Sequence, residues 1–308
     1  MDEALFTLSM PENESVLEYA PGSVEKTELK NRLRELSGEM IDIPLIIGGE
    51  EVRTGALGHC VEPHDHQHVL ATYHRAGPAE IARARAAALA AWKDWSRVPW
   101  PERVSVFLRA AELLAGPWRS TINGSTILGQ SKTVYQAEID AACEMIDFFR
   151  FNGHFIDRIY SEQPASMLGI WDRLEWRPLE GFVFAISPFN FTSIAGNLSA
   201  APAMMGNTVL WKPASTAVYS GYYTMKLLLE AGLPPGVINF LPGRGATVGD
   251  AVLAAPELAG IHFTGSTGTF RRLWSAVGER IGDYRTYPRI VGETGGKDFV
   301  MVHPSADV

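Results

Sequence analysis

FVFAISPFNFTSIAGNLSAAPAMMGNTVLWKPAS, residues 182–215, opens and nearly closes on two short β-rich runs, FVFAI (182–186) and NTVLW (207–211), each followed at once by small and polar residues. Similar runs recur as VINFL (237–241), GIHF (260–263) and DFVMV (298–302), with helical periodicity at 219–231 and 269–280 between them. Strands alternating with helices predict βαβ units, an α/β fold and a doubly wound parallel sheet of Rossmann type. Ligands of such sheets sit beyond the carboxyl ends of the strands, so the residues just after each run carry the functional information. After FVFAI come Ser187, Pro188, Phe189 and Asn190, and after NTVLW come Lys212, Pro213, Ala214 and Ser215. After VINFL comes PGRGATVG (242–249), and after GIHF comes TGSTG (264–268). RIVGETGGKD (289–298) sets Glu293 ahead of Gly295 and Gly296. These five strand ends are expected to converge on one crevice.

Upstream the texture differs. Residues 1–40 read as a polar arm with a short helix over 25–36, and 41–156 as the first part of the sheet domain. There LIIGGEEV (45–52) predicts a hairpin turning at Gly48-Gly49, followed by a strand near 68–72. One helix starts at Pro78 with Ile81, Ala88, Trp92 and Trp95 on a stripe, and a second at Pro101 with Val104, Phe107, Leu108, Ala111 and Leu114 inward. A third helix, over 135–151, turns Ile139, Cys143 and Ile146 inward and leaves Glu138 one position off that seam, which from periodicity alone makes it a surface carboxylate. Residues 157–181, with Pro164, Gly169 and Pro178 around alternating segments, predict a protruding β-hairpin. The βαβ part then occupies 182–308.

Composition narrows the class of function. The chain has 308 residues, 46% of them hydrophobic, with 27 Lys and Arg against 35 Asp and Glu. The resulting charge of −8 argues against a nucleic-acid partner, which calls for a basic face. Two cysteines, Cys60 and Cys143, are too few for a disulfide framework and fit a reducing compartment, so a cytoplasmic location is expected. No signal peptide, transit peptide or membrane span is readable. Asn13, Asn123, Asn190 and Asn197 match the loose Asn-x-Ser/Thr pattern and are set aside as glycosylation sites.

Several local signals are weak alone. Gly243, Gly245 and Gly249 run G-x-G-x-x-x-G, one residue longer than the dinucleotide fingerprint. His64, His66 and His68 would share a strand face and could ligate zinc, but ordinary surface histidines suit the pattern better and no metal is expected. Cys143, on an apolar seam with no electropositive neighbour in sequence, reads as a buried inert thiol. Phe189 reads as a core aromatic, Asn190 as turn punctuation, Ser266 as an N-cap and Lys132 as a solvated lysine.

Read together, the strand-end segments resemble the aldehyde dehydrogenase superfamily, which shows an Asn after the first strand, a Lys-Pro after the second, a Phe-Thr-Gly-Ser run and Glu-x-Gly-Gly-Lys. All four stand here in order. GQSKTVYQAEIDAACEMIDFFRFN (129–152), ISPFNFTSIAGNLSAAPAMMGNTVLWKP (186–213) and PRIVGETGGKDFV (288–300) resemble the 1-pyrroline-5-carboxylate dehydrogenase branch. The resemblance runs from about residue 10 to the end, and it implies an aldehyde dehydrogenase-like fold, a homo-oligomer formed through the 157–181 hairpin, and NAD-dependent oxidation of L-glutamate γ-semialdehyde to L-glutamate in proline catabolism, with functional pairing to proline dehydrogenase. In that chemistry a cysteine thiolate attacks the aldehyde, hydride passes to the nicotinamide, and water cleaves the thioester.

The resemblance assigns the oxyanion-binding amide to Asn190 and the hydrolytic base to Glu293. It places Glu138 and Phe189 in the aldehyde pocket. It places NAD against Ile186, Ser187, Pro188, Lys212, Ser215, Gly245, Gly249, Thr264, Gly265, Ser266 and Gly295. Ser215 stands where many NAD-selective relatives have a glutamate that would repel a 2'-phosphate, so use of NADP stays open. The family's nucleophile falls a few dozen residues beyond Glu293, past Val308, so the catalytic domain is expected to be missing and the 308-residue chain to be inactive alone. A noncatalytic dinucleotide-binding or assembly module, and an enzyme for another semialdehyde, are the alternatives.

Overall fold

A computed structural model describes residues 7–296 and 300–307. Its main sheet has seven strands in the order β10-β9-β6-β7-β8-β2-β3: β2 Leu45–Ile47, β3 Glu50–Val52, β6 Phe182–Ile186, β7 Thr208–Lys212, β8 Ile238–Phe240, β9 Leu258–Gly265 and β10 Arg289–Thr294. A second sheet, β1-β5-β4, joins Ile41–Ile43, Asp65–His74 and Leu57–Glu62. From β6 the chain steps outward through β7 and β8, then returns across β6 to β9 and β10. All five of these strands are parallel. The reversal between β6 and β9 is a topological switch point, where two successive crossovers leave to opposite sides and open a crevice at the carboxyl edge.

Both faces of the central strands are buried, which is why they read as unbroken apolar runs. Phe182 and Phe184 of β6 join Ile81 and Ala88 of α2 (Pro78–Trp95), Val248 of α9 (Gly245–Leu253) and Leu273 of α10 (Thr267–Glu279) on one face. Val183 and Ala185 face the other core. There they meet α3 (Trp100–Ala115), α4 (Arg119–Gln130), α6 (Glu144–Ser161), α7 (Thr192–Met204) and α8 (Val218–Glu230), through residues such as Phe107, Ile122, Phe149, Leu198 and Tyr219. The first helix, α1, spans Val24–Gly38 and is capped by the Ser23 hydroxyl. β2 pairs antiparallel with β8 at Ile46 and Phe240, so residues 41–156 and the βαβ part share one sheet.

The structure departs from the sequence reading in four places. Three helices were not signalled: α4, α7 and α9. Thr192, Ser193, Ala195, Gly196, Ser199 and Ala200 are all buried in α7, so no polar face remains to produce a moment, and α4 is similar in its small buried residues. The third expected helix is broken into α5 (Val134–Ala137), a π-helical turn (Glu138–Cys143) and α6, which runs on to Ser161. Residues 162–180 protrude but form no paired strands; the side chain of Gln163 reaches across to Leu174, accepting from its N–H at 2.9 Å. Of DFVMV, Asp298 and Phe299 lie outside the described residues, while Val300, Met301 and Val302 are exposed and not strand.

Gly181 sets the entry to β6. Its φ is +148°, and a Cβ there would stand 2.1 Å from the carbonyl oxygen of Glu257, which accepts the Phe182 N–H at 3.1 Å. Gly181→Ala is expected to destabilise the chain by at least about 2 kcal/mol, through strain and loss of the β6–β9 register. Urea denaturation followed by tryptophan fluorescence checks this, and a midpoint equal to wild type would contradict it.

Candidate active site

Register places the strand ends in one row. Ile186 stands opposite Lys212 on one side and Phe263 on the other, and Phe263 in turn stands opposite Gly292 of β10. Ser187, Lys212, Thr264, Gly265 and Glu293 therefore share the carboxyl edge. Glu293 lies two strands from β6, roughly 10 Å in the hydrogen-bonding direction. Thr264 Oγ1 donates to Glu293 Oε2 at 3.4 Å, and the carboxylate is exposed. Asn190 is also exposed, four residues beyond the end of β6. Asn190 and Glu293 thus stand on the same edge of the sheet.

On the β7–β8 side, Lys212 is 9% exposed, and its ammonium forms no ion pair or hydrogen bond among the described residues. Burial lowers its pKa from the usual lysine value. Its Nζ is not among the fully enclosed polar atoms that lack a partner, so the ammonium keeps an opening at the edge of the sheet. Ser215 Oγ donates to the Gly243 carbonyl at 3.5 Å, joining the loops after β7 and β8. Gly243 is needed by the protein itself, since a Cβ would come 2.8 Å from Val248 Cγ2, whereas at Gly245 and Gly249 it would meet nothing. Ser187 is buried and accepts from Trp211 Nε1 at 3.0 Å, which locks the turn before Pro188.

On the β9 side, Ser266 caps α10: its hydroxyl accepts from Thr269 N–H at 3.2 Å. The first-turn amides of Thr267 and Gly268 remain as outward donors beside the switch point, a setting that favours anions. Gly295 follows Glu293 and also faces open space.

The structure also reverses the readings of Glu138 and Phe189 taken from periodicity. Phe189 is 64% exposed, beside Asn190, and belongs to no core cluster. Glu138, at 0% exposed, is as buried as any side chain in the molecule: it shares a face with the buried Ala142, Met145 and Phe149, while Ile139, which the sequence reading placed inward, is only half-buried. Arg119 Nε donates to its two oxygens at 3.2 and 3.3 Å, and Nη2 donates as well. The Leu17 N–H (2.9 Å), the Tyr19 hydroxyl (2.7 Å) and Asn123 Nδ2 (2.8 Å) complete its shell. Burial alone would raise the Glu138 pKa; the hydrogen bonds from Arg119, Leu17 and Tyr19 outweigh it and hold the group below its ordinary 4.5. Arg119, Tyr19 and Asn123 carried no signal in the sequence, since their partners lie far off along the chain.

Cys143 does not face an apolar seam: its sulfur accepts from Arg119 Nη2 at 3.4 Å and faces Glu138. Burial, then the Glu138 charge, push its pKa up to about 12, so the thiol stays protonated. Cys60 is likewise pushed up to about 12 by burial. Lys132 is not solvated but pairs with Asp140 and lies 4.4 Å over the Phe191 ring. His64 and His68 both engage Glu62, at 3.3 and 3.1 Å, in the smaller sheet away from this edge. No group of three or more metal-ligating side chains occurs among the described residues.

Against known proteins, the aldehyde dehydrogenase family profile matches residues 53–308. A delta-1-pyrroline-5-carboxylate dehydrogenase of Agaricus bisporus is 47% identical over 307 residues, covering 99% of this chain and 56% of that protein. The mitochondrial delta-1-pyrroline-5-carboxylate dehydrogenase of Bos taurus is 50% identical over 296 residues, 96% of this chain and 53% of that one. The solved delta-pyrroline-5-carboxylate dehydrogenase of Mycobacterium tuberculosis bound with NAD superposes with a TM-score of 0.95 at 55% identity, covering 99% of this chain and 57% of that chain. The chain spans about half the length of the curated relatives it matches. No helix among the described residues is long and apolar enough to cross a membrane.

The depressed pKa of Glu138 has a definite sign. Stability from its ionised form is fully present above 4.5 and is lost as pH falls through the lower folded value. Glu138→Gln is expected to cost about 3 kcal/mol at pH 7, because Arg119 keeps a buried charge with one partner fewer. The difference from wild type should narrow between pH 5 and pH 3.5, about where an unfolded glutamate titrates. Denaturant midpoints across that range test the link, and a gap independent of pH would break it.

Proposed function

The chain belongs to the aldehyde dehydrogenase family, and from that premise we propose that it is the dinucleotide-binding half of an enzyme that oxidises L-glutamate γ-semialdehyde, the open form of 1-pyrroline-5-carboxylate, to L-glutamate with NAD. That reaction is the second step of proline breakdown, downstream of proline dehydrogenase. The observation that carries the reading is the edge itself. An unpartnered buried Lys212, an exposed Asn190 and an exposed Glu293 stand on one carboxyl edge of the sheet, beside its switch point, in a chain 55% identical to a neighbour solved with NAD.

The residues present fit the dinucleotide. Lys212 and Ser215 would hold the adenosine ribose, Gly245 and Gly249 leave room for close backbone approach, and Ser266 with the α10 amides would face the pyrophosphate. Ile186, Ser187, Pro188, Thr264, Gly265 and Gly295 line the edge between them. When bound, the nicotinamide supplies the hydride acceptor. Two of the chain's own side chains then serve the thiolate chemistry. The Asn190 amide donates to the oxygen that becomes negative when a thiolate adds to the aldehyde carbon. Glu293, two strands away, accepts a proton from the water that attacks the thioester, and the acid product leaves as the thiol is restored.

Phe189 offers an exposed apolar wall for the aldehyde chain; Glu138, enclosed by Arg119, Leu17, Tyr19 and Asn123, supports that pocket from behind. Neither Cys60 nor Cys143 can be the nucleophile, since both are buried and protonated. The 308-residue chain assayed alone therefore binds dinucleotide without oxidising aldehyde. Its free thiols suit a reducing compartment such as the cytoplasm. The exposed Met167, Leu168 and Trp171 on the protruding segment suit association into a homo-oligomer.

Calorimetric titration with NAD and NADP tests the cofactor assignment. Lys212→Met is expected to weaken NAD binding at least about tenfold, or about 1.4 kcal/mol. Ser215→Glu should weaken NADP and leave NAD nearly unchanged, by charge repulsion of the 2'-phosphate. Equal NAD affinity in wild type and Lys212→Met would remove Lys212 from the site. In a longer polypeptide that contains the nucleophile, Glu293→Ala should accumulate an acyl adduct visible by mass spectrometry of the quenched enzyme. Loss of activity with no adduct would mean that Glu293 acts before acylation, and a higher kcat/KM on succinate semialdehyde would overturn the substrate.

A further inference from the structure

Residues 7–20 form neither helix nor strand, and they precede the span matched by the family profile, which begins at residue 53. They are nevertheless bonded along their length to the helical layer. Leu8 N–H donates to Asp157 at 2.8 Å, and Asn13 Nδ2 and Glu14 N–H both donate to Asp147 at 2.7 Å. The Glu14 carboxylate bridges Arg119 (2.6 Å) and Arg150 (2.7 Å), and the Ser15 carbonyl accepts from Arg119 at 2.8 Å. Leu17 and Tyr19 then close on Glu138. Tyr19 is held at φ +53°, a left-handed conformation that a tyrosine keeps only when its surroundings impose it.

The same helical elements grip the chain just after Asn190. Thr192 Oγ1 bonds Thr126 of α4 at 2.8 Å and accepts from Gln130 at 2.9 Å. Ser193 Oγ donates to Glu144, the first residue of α6, at 2.7 Å. Phe191 lies under Lys132, which is itself paired with Asp140 of the π-helical turn. Arg119 and Asn123 on α4, and Glu138 on the π turn, are the groups the arm engages. α4 and the π turn thus stand between the arm on one side and residues 191–193 on the other.

We propose that residues 7–20 are a strap that fixes the loop carrying Asn190: by closing on Arg119 and Glu138 it holds α4 and the π-helical turn in the one arrangement in which residues 191–193 are bonded. Arg119 and Tyr19 are then positioning residues, acting through the π turn, and a loosened strap frees the Asn190 loop without disturbing the Lys212 side of the crevice. The inference rests on the proposed function only in treating Asn190 as the amide donor. The coupling itself is tested without it.

Hydrogen exchange of the 308-residue chain, read by mass spectrometry, supplies the test. In the double variant Glu14→Gln/Tyr19→Phe, exchange in residues 12–20 is expected to rise about tenfold and in residues 189–195 about threefold, with β7 and β8 unchanged. NAD affinity, measured by calorimetry, should stay at its wild-type value. A faster arm with an unchanged 189–195 segment would overturn the strap. So would an arm that neither variant loosens, or a loss of NAD affinity in step with the loop, which would mean general loosening. Should the double variant lose its near-UV circular dichroism, Tyr19→Phe alone is measured and judged by the same outcomes.

Discussion

A parallel sheet buried on both faces leaves its chemistry nowhere to go but the strand ends. Along β6 each side chain is committed to one core or the other, Phe182 and Phe184 to the first, Val183 and Ala185 to the second. Backbone hydrogen bonds within the sheet are taken up by the ladders with β7 and β9. The first residues free of both demands are those just past Ile186, Lys212 and Thr294. Because β6 and β9 are adjacent in space but far apart in sequence, the crossovers leaving them diverge and keep that edge open. Exposure of Asn190 and the want of a partner for Lys212 are consequences of topology before they are features of a catalyst, and Glu293 is exposed because β10 is an edge strand open along most of its length.

Behind that edge sits a second polar centre with a different logic. Glu138 and Arg119 are buried charges, and a buried ion pair is poor evidence for net stability, because desolvation offsets most of the attraction. What such a pair does well is exclude alternatives. Four groups from the arm and α4 converge on one carboxylate, so only one placement of the π turn satisfies them all. A π turn is otherwise a costly irregularity, commonly kept where function needs a side chain re-aimed. Here Glu138 opens the turn, and Glu144, just after it, reaches the helix that begins beside Asn190.

The sequence made the strands and the strand-end residues legible because burial on both faces writes a continuous apolar run and polar residues can follow only where the sheet stops. It made α2 and α3 legible because each has one wet face and a proline at its start. It hid α7 because that helix has no wet face: Gly196 packs so closely on Met145 that a Cβ would come 2.8 Å from its sulfur. It hid α9 because glycines that open space for a ligand look the same as glycines of a loop. Glu138 was misread for a sharper reason. The seam read through Ile139 is one residue off: the buried face runs through Glu138, Ala142, Met145 and Phe149, and a carboxylate on it looks polar in sequence until its partners are known. Its partners Leu17 and Tyr19 lie 121 and 119 positions away, beyond the reach of any local pattern. The resemblance to a known family pointed to that residue where periodicity pointed away from it.

The glycines after β8 show how a motif can fail as a pattern and still serve the same purpose. In the G-x-G-x-x-G fingerprint each glycine answers a separate demand, for a tight turn, for backbone approach to phosphate, or for helix packing. Gly243 here answers the packing demand, wedged between Val248 and Ala76, whose N–H donates to Pro242 at 2.8 Å. Gly245 and Gly249, four residues apart and so one turn apart on α9, both face open space. A spacing of four keeps them on one helical face, while the anion-favouring amides lie across the switch point at the start of α10. Under the proposed assignment the demands of a dinucleotide are divided between two helices, and a search for all of them in one loop finds only part of such a site.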